Sequence, residues 1–280
     1  MNTIRCFKGR TLALFIIFVI LCCSRSALLA QTPDRAFKWM DDADYRPIIY
    51  LDKENKPAGF WKDLMDEIFR RMEIPLRCEL YPWKRTQKYV EEGIGDGMIT
   101  TMTTKRSALF MATDPLYVNS ERVFARCDNP RIEQIMAVRS IEDLKPFTIV
   151  ETIGSGWSKE HFKELNVIWA PTYTAALNLL ANGRADIYVI GKEAGMLDII
   201  KQIRNHSPYS DGLKKIIVGK HPLAEINFCL LIRKDSPFVN IIPKFNKTLR
   251  QLKEDGTYQK IYRSYFGKTF TLLTKDTPCR

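Results

Sequence analysis

The sequence predicts an α/β protein made of two lobes, each built on a mostly parallel sheet. Three observations predict it. Short apolar runs alternate with segments whose apolar residues recur every three or four positions, the rhythm of strands and helices in turn. About 250 residues follow an N-terminal leader, enough chain for two such units with sizeable cores. Two apolar runs far apart in sequence, Tyr117–Ser120 and Glu225–Phe228, suit the two strands by which a chain leaves one lobe and returns to it. The expected division is a leader at 1–30, a first lobe from 31–117 and 228–280, and a second lobe at 118–227.

The leader has the order of a secretory signal. Arg5, Lys8 and Arg10 precede an unbroken apolar run from Leu12 to Cys23. Small and polar residues then lead to Ala30, where cleavage is expected. The run is too short for a comfortable membrane span. Leu21 and Cys22 precede the leader cysteines Cys22 and Cys23 where a lipoprotein site shows a small residue, so no lipid anchor is expected.

The elements follow in order. Residues 36–40 read as a strand, Asp41–Pro47 as a polar turn, Ile48–Leu51 as a second strand and Asp52–Pro57 as a second turn. Leu64, Ile68 and Met72, flanked by Met65 and Phe69, mark one face of a helix from Trp61 to Met72. A strand is expected at Leu76–Tyr81 and a helix from Trp83 to its closing Gly93. Tyr117–Cys127 is a long extended run, and Ser140-Ile141-Glu142-Asp143 reads as a capped start of a short helix. Strands are expected at Phe147–Val150, Val167–Trp169 and Ala185–Ile190. The helices between them run from the Gly154–Gly156 turn to Lys163, and from a Thr172 cap to Gly183. A helix at 192–203, strands at Lys215–Val218 and Ile226–Ile232, a helical stripe from Phe238 to Leu252 and a last helix at 257–265 complete the chain.

One stretch concentrates polar chemistry. Met98-Ile99 is a short strand that opens into Thr100-Thr101-Met102-Thr103-Thr104-Lys105-Arg106. A strand end meeting a helix start offers free backbone N–H groups, hydroxyls and a forked cation, all of which favour a small anion such as a carboxylate. Tyr45 and Trp83 follow two other strands. In an open α/β sheet, ligands bind beyond the carboxyl ends of strands, which brings these residues together. The glycine turn Gly154-Ser155-Gly156 can present backbone N–H groups to an anion. It lacks the flanks of a nucleophile elbow and the Lys-Ser/Thr of a P-loop.

Composition excludes other classes. Formal charge is +11, and falls to +7 without Arg5, Lys8, Arg10 and Arg25. The excess is scattered and no basic tract appears, so no nucleic-acid partner is expected. His161, His206 and His221 lack metal-ligand spacing, and Cys78, Cys127, Cys229 and Cys279 include no Cys-x-x-Cys pair. No metal or cofactor is expected. Disulfides are permitted in an exported chain, and the pairing stays open.

The set of motifs resembles a family. It comprises Tyr45-x-Pro47, Gly59-Phe60-Trp61-Lys62-Asp63-Leu64-Met65, Gly93-x-x-Asp96, Thr101-x-Thr103-x-x-Arg106, Thr113-Asp114-Pro115-Leu116-Tyr117, the turn at 154–156 and Gly183-Arg184-Ala185-Asp186. In this order it resembles the bacterial extracellular solute-binding proteins of the polar amino-acid type, over nearly the whole mature chain. The resemblance implies a type II periplasmic binding protein fold, with two crossover strands as its hinge. It implies a monomeric periplasmic receptor that closes on a small polar, carboxylate-bearing solute and delivers it to an ABC permease in the inner membrane. Arg106 would hold the carboxylate. Thr101 and Gly154, Ser155 and Gly156 would assist it, and Asp42, Tyr45 and Trp83 would line the pocket.

There is one departure. Many amino-acid binders carry an aspartate five residues after the position of Asp186, for the ligand ammonium. This chain has Gly191 there, followed by Lys192 and Glu193. Glu193 lies two residues on, where a helix would turn its side chain away from position 191, and Asp42 from the first lobe is the other acid at hand. The ligand therefore need not be a standard L-α-amino acid. Two other readings of the same fold are a cyclohexadienyl-dehydratase-like enzyme, with Glu193 or Glu151 as general acid, and a detached sensory receptor.

Overall fold

The computed structural model describes residues 35–267. The expected leader and Cys279 lie outside the described residues.

Strand β1 (Phe37–Asp42) runs past its expected end. Asp41 and Asp42 belong to it rather than to the turn. The Asp41 carboxylate accepts hydrogen bonds from Trp39 Nε1 at 2.9 Å, the Asp42 amide at 2.8 Å and the Ile99 amide at 3.0 Å. Three donors offset the loss of water that otherwise keeps an acid out of a buried strand. Strands β2 (Asp44–Tyr45), β3 (Ile49–Leu51) and β4 (Pro57–Ala58) form a small separate sheet. Helix α1 (Phe60–Met72) buries the expected stripe and stops at Glu73, whose φ of 56° is left-handed. Next come β5 (Leu76–Tyr81) and α2 (Trp83–Glu91).

Strand β6 (Gly97–Thr100) leads into α3 (Thr104–Leu109). Thr103 caps that helix, its hydroxyl accepting from the Arg106 amide at 3.2 Å. Then follow β7 (Phe110–Ala112), β8 (Tyr117–Arg126) and α4 (Ile132–Met136). The Ser140–Asp143 pattern starts a single 3₁₀ turn, Glu142–Leu144. The second half brings β9 (Thr148–Thr152), α5 (Gly156–His161), β10 (Asn166–Ala170) and α6 (Tyr173–Ala181), which Thr172 caps as expected. After them come β11 (Ile187–Gly191), α7 (Lys192–Arg204), α8 (Ser210–Lys214), β12 (Ile216–Val218) and β13 (Ala224–Arg233). Helices α9 (Ile242–Glu254) and α10 (Thr257–Phe266) end the described chain. Elements β2, β4, β7, α4 and α8 have no counterpart among the expected ones. They are too short for apolar periodicity to repeat.

The main sheet has the order β10-β9-β11-β8-β13-β6-β1-β5. Its flanks are parallel, as expected, in the pairs β1–β5, β1–β6, β9–β10 and β9–β11. Its centre is not. Strands β8 and β13 pair antiparallel with each other, and each pairs antiparallel with a strand of one flank. The sheet is therefore mixed, and the fold is a two-lobed α/β fold crossed by β8 and β13. The first lobe holds β1, β5 and β6, with cores around Phe37, Phe69 and Phe245 and around Met98 and Phe110. The second holds β9, β10 and β11, with cores on both faces, around Leu177 and Tyr188 and around Ile149 and Ile187.

Candidate functional site

Arg106 sits in the first turns of α3, and its guanidinium folds back to the end of β6. One terminal nitrogen donates to Thr100 Oγ1 at 3.0 Å and to the Thr101 carbonyl at 2.8 Å. The other donates to Gln87 Oε1 at 2.8 Å. Arg106 is 4% exposed and forms no salt bridge among the described residues. Burial lowers its pKa to about 10, so it stays charged at neutral pH. A buried cation bonded only to neutral groups is costly, and an anion relieves that cost.

The second lobe comes to this arginine through a glycine. A Cβ on Gly156 would stand 3.1 Å from Cζ and from both terminal nitrogens of Arg106. Trp83 Nε1 and Gln87 Nε2, both on α2, donate to the Gly154 carbonyl at 3.0 and 3.2 Å. The Thr104 amide donates to Glu160 Oε1 at 3.0 Å. These bonds join the lobes, so the cleft is closed. Ser155 caps α5, and its Oγ lies 2.7 Å from Ser158 Oγ. On the other side Tyr45 stacks on Tyr173 with centroids 4.6 Å apart.

A cavity of about 80 Å³ lies between these walls. Of the residues singled out in sequence, Asp42, Tyr45, Trp83, Thr101, Ser155 and Gly156 line it. Arg106, Gly154 and Glu193 stand outside the lining. Arg106 is next to it through Thr100, Thr101 and Gly156, and Gly154 through Trp83. Glu193 begins α7 as expected but turns toward Tyr117, whose hydroxyl donates to it at 3.2 Å.

Other acids also line the cavity: Asp41, Glu121 and Glu151. No Lys, Arg or His is in the lining. Burial pushes Asp41 and Asp42 up to about 7, Glu121 up to about 8, and Glu151 well above the usual carboxylate range. Sequence reasoning missed Glu121 as a site residue and named Glu151 only for the enzyme reading. Only Glu151 carried a signal, as an acid directly after the strand Phe147–Val150, where a buried polar residue is the informative exception. Glu121 stands in the polar stretch Asn119–Arg122 and carried none.

Two lobes closed over a cavity of aromatic and aliphatic walls with four acids among them make the architecture of a two-lobed solute-binding protein. Residues 38–268 match the family model described as bacterial extracellular solute-binding proteins, family 3, and the chain belongs to that family. It is 26% identical to a probable amino-acid-binding protein of Bacillus subtilis, with 82% of this chain and 83% of the relative covered. Solved structures show the same fold. A histidine kinase sensor domain with similarity to periplasmic binding proteins aligns with a TM-score of 0.69 at 22% identity, covering 83% of this chain and 96% of its own. An ancestral amino acid-binding protein, a precursor of cyclohexadienyl dehydratase, aligns with a TM-score of 0.64 at 22% identity, covering 82% and 95%. No helix among the described residues is long and apolar enough to cross a membrane.

Proposed function

We propose that this chain is an exported, periplasmic receptor that captures a small amino-acid-like solute between its lobes and hands it to an ABC permease. The reading takes the leader as 1–30, the first lobe as 31–117 and 228–280, and the second as 118–227. Arg106 takes the solute carboxylate in exchange for its bonds to Gln87 and the Thr101 carbonyl. Thr101 and the Gly154–Gly156 turn supply further donors. Asp42, Tyr45 and Trp83 frame the rest of the solute. Closure then follows from binding, because solute contacts both lobes only when they meet. Hinge closure around a ligand is general among periplasmic binding proteins, so this step is inherited from the class.

The observation that carries the reading is the buried guanidinium of Arg106, without an acidic partner among the described residues and facing Gly156. We read the chain as a binder rather than a dehydratase, in line with its binding-protein relatives. The test is a thermal-shift and calorimetric screen of the mature chain against the twenty amino acids, their deaminated acids and their decarboxylated amines. A one-to-one ligand should raise the melting temperature by mass action. No binding by any member, or turnover of prephenate or arogenate, overturns the reading.

A further inference from the structure

The acid expected at position 191 is missing for a structural reason. Gly191 ends β11 with φ −51° and ψ 128°, a backbone open to any residue. What excludes a side chain is Asn119. A Cβ on Gly191 would stand 2.2 Å from Asn119 Oδ1, 2.7 Å from Nδ2 and 2.8 Å from Cγ. Asn119 lies on β8 and is 1% exposed. It occupies the space where an aspartate side chain would begin.

Asn119 in turn positions another acid. Its Nδ2 donates to Glu121 Oε1 at 2.7 Å. Glu121 is the direct cross-strand partner of Gly191. Paired residues project from the same face of a sheet, so position 121 serves the space that position 191 has given up. On the far side of β11 lies β9, paired through Tyr188 and Val150, with Glu151 the next residue along. Glu151 is 4% exposed. Its Oε2 accepts from Ser158 Oγ at 2.9 Å, while Oε1 is buried with no hydrogen-bond partner. Both acids line the cavity, and so does Ser158. An unpartnered buried carboxylate oxygen is expensive, and it marks a place where a donor belongs.

We propose that Glu121 and Glu151 hold the α-ammonium of the solute, in place of a carboxylate at position 191. This rests on the solute-binding reading and names the solute class: it carries that ammonium next to the carboxylate that Arg106 takes. Asp41 does not share this role, since its oxygens already accept three bonds from Trp39, Asp42 and Ile99. Glu193 does not share it either, being bonded to Tyr117 outside the lining. Around the acid pair stand Tyr45, Tyr173 and Tyr188, which also line the cavity and give an apolar frame with hydroxyl edges.

The test compares Glu121→Gln and Glu151→Gln with the parent on the same screen, using the tightest amino acid together with its deaminated acid and its decarboxylated amine. Glutamine keeps the shape and can still accept from Asn119 or Ser158, so thermal melts should show folded variants. Each variant should bind the amino acid and the amine at least tenfold more weakly, and the deaminated acid within threefold of the parent. Arg106→Ala should do the reverse, weakening the acid and sparing the amine. Threefold or smaller losses for the amine in both glutamine variants overturn the assignment. So does a parent that binds only deaminated acids, which leaves the solute-binding reading standing. A parent that binds nothing on the panel overturns both.

Discussion

Gly191→Ala places one methyl group against Asn119 and so tests the packing that displaces the acid. The new Cβ would fall 2.2 Å from Oδ1, well inside any contact distance, so the Asn119 amide has to swing away. Its 2.7 Å bond to Glu121 then breaks, and its weak 3.5 Å approach to the Tyr45 hydroxyl goes with it. A hydrogen bond to a protonated, neutral acid contributes about 0.5–1.5 kcal/mol, and overpacking a tight site costs about 1–3 kcal/mol. A net loss of about 3 kcal/mol is expected. For a chain of this size each kcal/mol moves the melting temperature by about 2–4 °C, so the melt should fall by roughly 6–12 °C. Chemical and thermal denaturation measure it. The control is Asn119→Ala, which removes the obstacle. In that background Gly191→Ala should cost under about 1 kcal/mol, and the difference between the two costs is the coupling energy. A single Gly191→Ala variant within about 1 kcal/mol of the parent would refute the reasoning.

Three further outcomes are expected. Arg106→Ala should cost a carboxylate solute about 2–5 kcal/mol of binding, a loss of more than tenfold, read by calorimetry on a folded variant. Trp83→Ala removes the 3.0 Å bond to the Gly154 carbonyl and should raise the solute-free radius of gyration, measured by small-angle scattering, by favouring the open form. Ligand-free stability should fall as pH rises from about 4.5 to about 8. Glu121 is pushed up to about 8 by burial, with Glu193 nearby adding to the shift and the Asn119 amide opposing it. The folded chain thus keeps a proton that the unfolded chain has released, and each pH unit costs about 1.4 kcal/mol while that difference lasts. Tyr45 and Glu151 face the same group. Glu121→Gln removes its share, so melts of variant and parent should diverge across that window and match below it.

The fold was legible because its large terms are written in apolar periodicity. The stripe of Leu64, Ile68 and Met72 and the long run from Tyr117 each became the expected element. The mixed centre of the sheet was not legible, since strand direction depends on connections that span the chain. The Arg106 cluster was visible because Thr100–Arg106 are contiguous and dense in hydrogen-bonding groups; its role toward a carboxylate is what we propose. The acidic end of the candidate site was not visible, because Glu121, Glu151, Asn119 and Gly191 come from three strands and meet only through register. Gly191 by itself looked like a lost acid. Beside Asn119 it is the space that lets Glu121 be held, a relation between β8 and β11 that linear spacing does not encode.

The central claim is that the lobes close on a solute held between Arg106 and the acids of β8 and β9. Small-angle scattering of the mature chain, recorded free and with the tightest solute of the screen at saturation, tests it most directly. Calorimetry on the same samples gives the stoichiometry. The expected result is a smaller radius of gyration with one solute bound per chain, and no such change in a Glu121→Gln, Arg106→Ala double variant. An unchanged radius of gyration at full saturation of the parent would contradict it.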